Sequence, residues 1–518
     1  MFIKIALLVI FFSVIVSIGV YNRKHVTDVN SFVLGGRSVG PWLTAFSYGT
    51  SYFSAVIFIG YAGQFGWRFG LASTWIGIGN ALIGSLLAWV LLGRRTRLMT
   101  QHLDTATMPQ FFEKRYGGKG LRIGAAFIIF IFLIPYTASL YNGLSRLFEM
   151  AFGIDYTICI IAMGVLTCVY VVAGGYMAAA MNDFIQGIIM LIGIVAVVIA
   201  VLKSNGGFTT AISSLALVAP DEGCVIKAPG IFTSFFGPDP KTLISVIILT
   251  SLGTWGLPQM VQKFYAIKNE QAISKGTIIS TFFAIVVAGG CYFLGGFGRL
   301  YSDKIALGEN GSVPYDSIIP KMLENLPDLL IGIVIMLVLS ASMSTLSALV
   351  MTSSSTLTLD FIKGNIVKDM SQKKQVSIIR VLIAIFILIS MGIAIYQYKE
   401  GASFIAQLMG ISWGALAGAF LAPFIYGLYW KKATKAATWA SFIFGTGIMI
   451  LNMVHPIFSS PIVCGAVAML AGLVIVPIVS LFTQPPKAEE VDKMFACYEQ
   501  TVTVQAKEAL GQATVNKD

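Results

Sequence analysis

The stretch SASMSTLSAL, residues 340–349, places several hydroxyl side chains inside a long apolar run. At 100° per residue of an α-helix, Ala341, Ser344 and Thr345 fall on one face. Hard cations bind several oxygen ligands, and not every ligand has to carry a formal charge. We therefore expect the hydroxyls of Ser344 and Thr345, with the backbone carbonyl of Ala341, to supply three ligands. The alternative is that each hydroxyl bonds the carbonyl four residues earlier in its own helix.

A second stretch, SYGTSYFS at residues 47–54, interrupts another apolar run with glycine and hydroxyl residues. Because an interrupted helix frees backbone carbonyls, Thr50 and Phe53 are predicted to complete a five-oxygen cage suited to sodium. The stretch TSLGTWGLP, residues 250–258, is a similar interruption in the second half of the chain. Matching interruptions in two halves indicate a transport site, whereas either stretch alone is also explained by close helix packing at small residues.

Asp183, in GGYMAAAMNDFIQG, is an ionisable residue at or within an apolar run. Such a residue is costly in lipid and is a functional candidate, here for binding a second cation or a proton. The alternative is an acid at a helix N-terminus, where the helix dipole favours a negative charge. Its position in the sequence does not decide between the two.

The composition shows which elements must hold these residues. The chain has 518 residues, of which 56% are hydrophobic and 11% charged, and its mean hydropathy is +0.82. Apolar runs of roughly 20 residues are typical of membrane-spanning helices. We expect an all-α polytopic membrane protein with about 13 spans, near residues 1–21, 41–66, 71–93, 121–150, 156–174, 183–202, 242–262, 276–299, 328–357, 378–397, 403–429, 436–454 and 461–482. The first run is interpreted as a retained helix, because its basic residues follow it and no small-residue cleavage site is present.

The net charge of +11 comes from lysines and arginines concentrated in alternate loops. The richer set includes loops near residues 94–122, 263–275, 363–380 and 431–435. Since cytoplasmic loops carry the excess of Lys and Arg, we predict an extracellular N-terminus and a cytoplasmic C-terminus in the cell membrane. Nucleic acid is not needed to explain the charge. Three histidines and six cysteines without metal-ligand spacing, and no phosphate-binding loop, disfavour a hydrolase or an ATP-driven pump.

The spans divide into two units of five, and two odd-numbered units in tandem form an inverted repeat. We expect one transmembrane domain, residues 1–482, in which the first helix of each repeat is broken. Its parts are a peripheral helix (1–21), the first repeat (41–202), the second repeat (242–429) and two peripheral helices (436–482). Residues 483–518 are predicted to be a cytoplasmic tail. The loop at 203–241 is interpreted either as containing a short lid helix or as an ordinary connector.

Five segments in order resemble the sodium:solute symporter family: FVLGGRSVG (32–40), TATMPQFFEKRYG (105–117), GGYMAAAMNDFIQ (174–186), ASMSTLSA (341–348) and GLYWKKATKAA (427–437). The resemblance implies a LeuT-type fold and sodium-coupled alternating access. The family's sodium site falls on the five cage residues named above. Members with a second sodium use residues that correspond to Asp183, Ser344, Ser347 and the next position, which is Ala348 here. We therefore expect one transported sodium.

The segment GLPQMVQKFYAIKN (256–269) is similar to the sodium/proline and sodium/pantothenate branch. Tyr136 matches a substrate-contacting tyrosine of the proline symporter, but Thr250 and Thr254 replace a Trp and a Tyr that contact proline there. The arginine with which sialic acid transporters bind a carboxylate has no evident counterpart. We predict that the solute pocket is lined by Tyr52, Ser54, Tyr136, Thr254, Trp255 and Gln407, each of which packing between helices would also explain.

These features predict a sodium-coupled symporter that imports a small organic solute, such as an amino acid, a carboxylate or a vitamin-like molecule. The expected partners are the solute, sodium as the transported ion and the lipid bilayer, with no nucleic acid and no obligate protein partner. Two alternatives remain open. One is a proton-coupled or uncoupled carrier with the same fold, with Asp183 as the proton site, and the other is a membrane sensor that binds solute without transporting it. An enzyme is not expected.

Overall fold

The computed structural model describes residues 2–22, 28–307, 312–367, 369–399 and 405–499, and these residues form helices with no strand among them. The predicted tail is therefore described only as far as residue 499. The α-helices are α1 Phe2–Asn22, α2 Val29–Leu34, α3 Pro41–Tyr52, α4 Ala62–Phe69, α5 Thr74–Gly79, α6 Arg94–His102, α7 Met108–Tyr116, α8 Lys119–Phe152, α9 Tyr156–Ser204, α10 Phe208–Ala216, α11 Pro240–Gly256, α12 Pro258–Ala266, α13 Glu270–Ala284, α14 Gly290–Gly295, α15 Tyr315–Leu323, α16 Asp328–Thr356, α17 Lys363–Asn365, α18 Gln372–Lys399, α19 Ile405–Tyr429, α20 Lys435–Val454, α21 Pro461–Leu481 and α22 Ala488–Phe495.

Nine helical segments of the described chain are long and apolar enough to cross a membrane, or ten if the bent pair α11 and α12 is one span. Two shorter apolar helices cover Lys4–Gly19 and Tyr156–Val169. In α9 the break at Gly175 has a φ of 63°, which favours glycine because this residue has no Cβ. The helical, apolar character that the sequence predicts is confirmed, and the count of thirteen spans stays a prediction.

The two predicted interruptions are both real breaks in helices. α3 ends at Tyr52, and Phe53 has the extended angles φ −85° and ψ 117° before the helix resumes. α11 ends at Gly256, Leu257 has nearly the same angles, and α12 starts at Pro258 with a bend of 45°. Proline fits the first position of a helix because no backbone donor is needed there. Both breaks occur where the sequence places glycine, hydroxyl residues or proline.

α16 is a central helix, packed against α3, α8, α9 and α18. Every residue from Leu337 to Thr356 is buried. A helix buried on all sides requires partners for its polar groups inside the protein, because neither water nor lipid can supply them there. Its hydroxyl residues therefore face other helices.

The helix that continues beyond the first break packs very closely against its neighbours. At Gly66 an added Cβ would lie 2.0 Å from the carbonyl oxygen of Gly295 in α14, and at Gly63 it would lie 2.7 Å from that of Tyr315 in α15. These contacts pack α4 tightly against α14 and α15 and bury most of its residues.

The 203–241 loop contains a helix, α10, and is held to the rest of the protein by two ion pairs. Nη2 of Arg299 lies 2.8 Å from Oδ2 of Asp221. Nη2 of Arg68, at the end of α4, lies 3.3 Å from Oδ2 of Asp239. Burial opposes ionisation of Asp221, but the hydrogen bond and the charge of Arg299 hold its pKa below the usual value. Both pairs line a cavity of about 810 Å³, together with Trp67 and other residues.

Candidate functional site

The first helix break lies directly against the middle of α16. Ala55, just after the break, donates its backbone N–H to the Ser342 hydroxyl at 3.1 Å. The Thr345 hydroxyl donates to the backbone carbonyl of Thr50 at 3.1 Å, and the Ser344 hydroxyl donates to the Thr50 hydroxyl at 2.7 Å. Two stretches almost 300 positions apart in the chain therefore meet through hydroxyl and carbonyl groups.

The five predicted cage residues are all buried. The Thr345 hydroxyl also lies 3.0 Å from the carbonyl of Ala341, four residues earlier, so its single proton has two carbonyl acceptors within reach. Phe53 is the extended residue of the break itself. Four of the five residues are joined by these hydrogen bonds. The group offers buried neutral oxygens, which is the ligand type that a monovalent cation binds when it loses its hydration shell.

Asp183 lies in the second part of α9, and only 1% of its surface is exposed. It accepts a hydrogen bond from the Ser47 hydroxyl of α3, and its Oδ2 atom lies 3.9 Å from Nζ of Lys263. The Ser347 hydroxyl donates instead to the carbonyl of Ser344, at 2.8 Å. Asp183 is therefore inside the helix bundle, next to a cation from the protein itself.

The predicted solute residues fall into two groups. The hydroxyls of Tyr52, Ser54 and Tyr136 are buried and have no hydrogen-bond partner among the described residues. In contrast, Thr254 donates to the Gly84 carbonyl at 3.0 Å and the Trp255 indole donates to the Ile83 carbonyl at 2.9 Å. The first group has hydrogen-bonding capacity to offer a solute, and the second group already uses these polar atoms in packing.

Gln407, the last predicted solute residue, lies in the first turns of α19 and is partly buried. Next to it, the Ala406 carbonyl accepts a hydrogen bond from the Tyr61 hydroxyl at 3.2 Å, which places this part of α19 beside the helix that follows the first break.

Sequence reasoning missed Trp413 and Lys263. Trp413 is fully buried in α19, its ring packs edge-on against Tyr136 with the centroids 5.9 Å apart, and its indole nitrogen lacks a partner among the described residues. No sequence signal pairs two aromatic residues in different helices. Lys263 was counted with a cytoplasmic loop, but the structure places it in α12 with 4% exposure, which corrects that assignment. The sequence did contain a signal for this placement of Lys263, because a helix that begins at Pro258 includes position 263.

The chain is similar to known proteins over most of its length. The pattern of the sodium:solute symporter family matches residues 32–445. The chain is 29% identical to the osmoregulated proline transporter OpuE of Bacillus subtilis, over 92% of this chain and 94% of that protein. It is 28% identical to the sodium/proline symporter of Staphylococcus aureus, over 93% of each chain.

Two solved structures share the fold. A Na⁺-coupled sialic acid symporter in a substrate-bound, outward-open state matches with a TM-score of 0.77 at 16% identity, over 94% of this chain and 99% of that chain. Mhp1, a nucleobase-cation-symport-1 family transporter, matches with a TM-score of 0.50 at 14% identity, over 89% of this chain and 97% of that chain. The LeuT-type fold expected from the sequence is confirmed.

Proposed function

The chain belongs to the sodium:solute symporter family and is a sodium-coupled symporter of small solutes in a membrane; on this premise we propose that one sodium binds where the first helix break meets α16. The proposed ligands are the carbonyls of Thr50, Phe53 and Ala341 and the hydroxyls of Ser344 and Thr345. The observation that carries the proposal is the pair of hydrogen bonds from Ser344 and Thr345 to Thr50.

In the proposed mechanism, sodium couples transport by joining the broken helix to α16. The hydroxyls of Ser344 and Thr345 now donate to Thr50. When sodium enters, the same oxygens turn their lone pairs toward the ion, and the ion replaces these hydrogen bonds as the link. Sodium thereby favours the conformation in which the break is ordered for the solute, and its release frees the two halves to separate.

The proposed solute site lies beside the break, against Tyr52, Ser54, Tyr136, Trp413 and Gln407. The polar groups of these five side chains carry no formal charge. A carboxylate on the solute would therefore be stabilised by the nearby sodium and by hydrogen bonds, without an arginine. We assign the solute to the small amino acids, carboxylates and vitamin-like acids. Thr254 and Trp255 are assigned to the wall of the pocket, since their polar atoms already bond the 80–87 segment.

The proposed orientation has the N-terminus outside and the C-terminus in the cytoplasm of a cell that imports the solute. The repeats are assigned to residues 41–202 and 242–429, with residues 1–21 and 436–482 peripheral and 483–518 as the tail. The charge distribution of the loops supports this orientation, and the two matching breaks support the repeat boundaries.

The solute can be identified by thermal-shift measurements on the purified protein with amino acids, small carboxylates and sugars, each with sodium or with choline. We expect the true solute to stabilise the protein in sodium and much less in choline, because the ion and the solute favour the same conformation. L-Proline is included because two similar proteins, OpuE and the sodium/proline symporter of Staphylococcus aureus, are proline transporters. Equal stabilisation in the two salts would contradict sodium coupling.

The sodium site is tested by the double substitution Ser344→Ala and Thr345→Ala, with uptake of that solute measured in proteoliposomes. Loss of two oxygen ligands should raise the sodium concentration for half-maximal uptake by about tenfold or more, since each lost polar contact costs about 1 kcal/mol. The matched control is Ser353→Ala with Ser354→Ala, which removes two buried hydroxyls of the same helix away from the break. An unchanged sodium dependence in the first variant would defeat the assignment.

A further inference from the structure

Three polar residues from three helices form a second buried cluster, which we call the Lys263 cluster: Ser47 of α3, Asp183 of α9 and Lys263 of α12. Lys263 donates to the Ser47 hydroxyl at 2.7 Å, and Ser47 donates to Asp183. Nζ of Lys263 lies 3.9 Å from Oδ2 of Asp183 and 5.1 Å from the centre of the Tyr176 ring. The hydroxyl of Ser47 thus bridges the ammonium and the carboxylate.

A buried carboxylate requires compensation of its charge. Removing an ion from water costs several kcal/mol unless a cation and hydrogen bonds replace the water. For Asp183 the candidate cations are a sodium ion from solution, a proton and the ammonium of Lys263. The ammonium is tethered to α12, almost fully buried and already in contact. A tethered group does not lose the translational freedom that a free ion loses on binding.

The Lys263 cluster adjoins the proposed sodium site. Ser47 and Thr50 lie three positions apart on α3 and therefore on the same side of that helix, about one turn from each other. The Ser51 hydroxyl donates to the Ser47 carbonyl, so α3 is still regular here, before its break. A cation at Asp183 and a sodium at Thr50 would be neighbours. The cation that compensates the negative charge of Asp183 therefore determines how many sodium ions this region binds.

We infer that Lys263 is the resident cation of the Asp183 position and limits the chain to one bound sodium ion. This inference rests on the proposed sodium site and extends it. The ammonium occupies the position that a second sodium would need, and Asp183 has one further carboxylate oxygen, Oδ1, without a partner among the described residues. Removal of the ammonium leaves a buried carboxylate that can bind a sodium ion in its place.

Lys263 also links the two broken helices. Ser47 lies in the half-helix before the first break, and Lys263 lies in the half-helix after the second break. A rearrangement that separates these halves must break the bond between Lys263 and Ser47. The positive charge at Asp183 then stays with the protein, whereas a second sodium would be transported with the solute.

The test counts sodium ions bound to the purified full-length protein with ²²Na⁺ in scintillation proximity assays, which needs no knowledge of the solute. We expect one sodium per wild-type chain and two per Lys263→Met chain. The double variant Asp183→Asn with Lys263→Met should bind one sodium ion, because it has no buried carboxylate at position 183 whose charge a second sodium would compensate. The matched control is Lys4→Met, which removes another largely buried lysine, 3.0 Å from Asp328, and should leave the count at one.

The sodium counts distinguish failure of this inference from failure of the proposed sodium site. One sodium in both wild type and Lys263→Met overturns the role of Lys263 and leaves the proposed sodium site intact. No sodium bound to the wild type overturns the proposed site and this inference together. If Lys263→Met fails to fold, which size-exclusion chromatography shows, the wild type still tests the inference, since two sodium ions per wild-type chain would contradict it.

Discussion

At the scale of residues, neutral oxygens are sufficient for the proposed ion site because the helix break supplies carbonyls that a regular helix would use internally. Thr50 has an unusual position, since both its carbonyl and its hydroxyl accept bonds from α16. Its own hydroxyl donates to Phe46, four residues earlier. The hydrogen bond that Ser and Thr commonly make to the carbonyl four residues earlier is thus compatible with the proposed ion site.

Tyr136 gives a residue-scale prediction for the solute site. Tyr136→Phe removes a hydroxyl that has no partner among the described residues. We expect the solute concentration for half-maximal uptake to rise by about five- to tenfold, because one hydrogen bond to the solute contributes about 1 kcal/mol. Tyr141→Phe is the matched control, because Tyr141 is equally buried in α8 and its hydroxyl also lacks a partner among the described residues, but it is not one of the predicted solute residues. Equal effects of both substitutions in uptake assays would remove Tyr136 from the site.

At the scale of elements, α7 and the start of α8 are held by a buried carboxylate against the helical segment Leu357–Ile362, which directly continues α16. Asp360, with 0% exposure, accepts from Thr107 at 2.6 Å, from Gln110 at 2.8 Å and from Arg122 at 3.0 Å. Arg122 also pairs with Glu113 at 3.1 Å. Since a buried ion pair is costly to break from one side, this network stabilises the contact between these helices.

Arg122→Gln should therefore destabilise the protein by up to about 3 kcal/mol, because Asp360 would keep two hydrogen bonds but lose its cation. The control is Lys321→Gln, whose partner Glu324 is almost half exposed, and a surface pair of this kind contributes about 0–1 kcal/mol. Thermal unfolding of both variants in the same detergent gives the comparison. Midpoints that shift equally would show that the Asp360 network does not stabilise the fold.

At the scale of the whole molecule, the energy available from one sodium ion limits how far the solute can be accumulated. One sodium that crosses ~100 mV provides about 2.3 kcal/mol, and a tenfold concentration gradient adds about 1.4 kcal/mol. The sum limits accumulation of a neutral or zwitterionic solute to roughly several hundred-fold when coupling is complete. A second sodium would raise this limit to the order of 10⁵.

We therefore expect proteoliposomes with these gradients to accumulate the solute to a ratio no higher than several hundred, and to lose it when the sodium gradient and the potential are removed. The measurement is the steady-state ratio of labelled solute inside and outside. Uptake driven by a pH gradient without sodium would favour the proton-coupled alternative. A ratio of several thousand or more would require a second ion.

The sequence by itself determined the helical membrane architecture, the two breaks and the face of α16 that carries hydroxyls. These features follow from local rules, since lipid requires every backbone group to be satisfied and helical spacing decides which residues share a face. Glycine and proline in apolar runs, as at Pro258, mark interruptions because they are costly elsewhere in a helix.

Only the tertiary structure decided which side chains meet across helices. It placed Lys263 against Asp183 and Ser47, packed Trp413 onto Tyr136, and used the polar atoms of Thr254 and Trp255 for packing. The physical reason is that such contacts depend on where helices far apart in the chain cross, and the local sequence of each helix leaves that crossing undetermined.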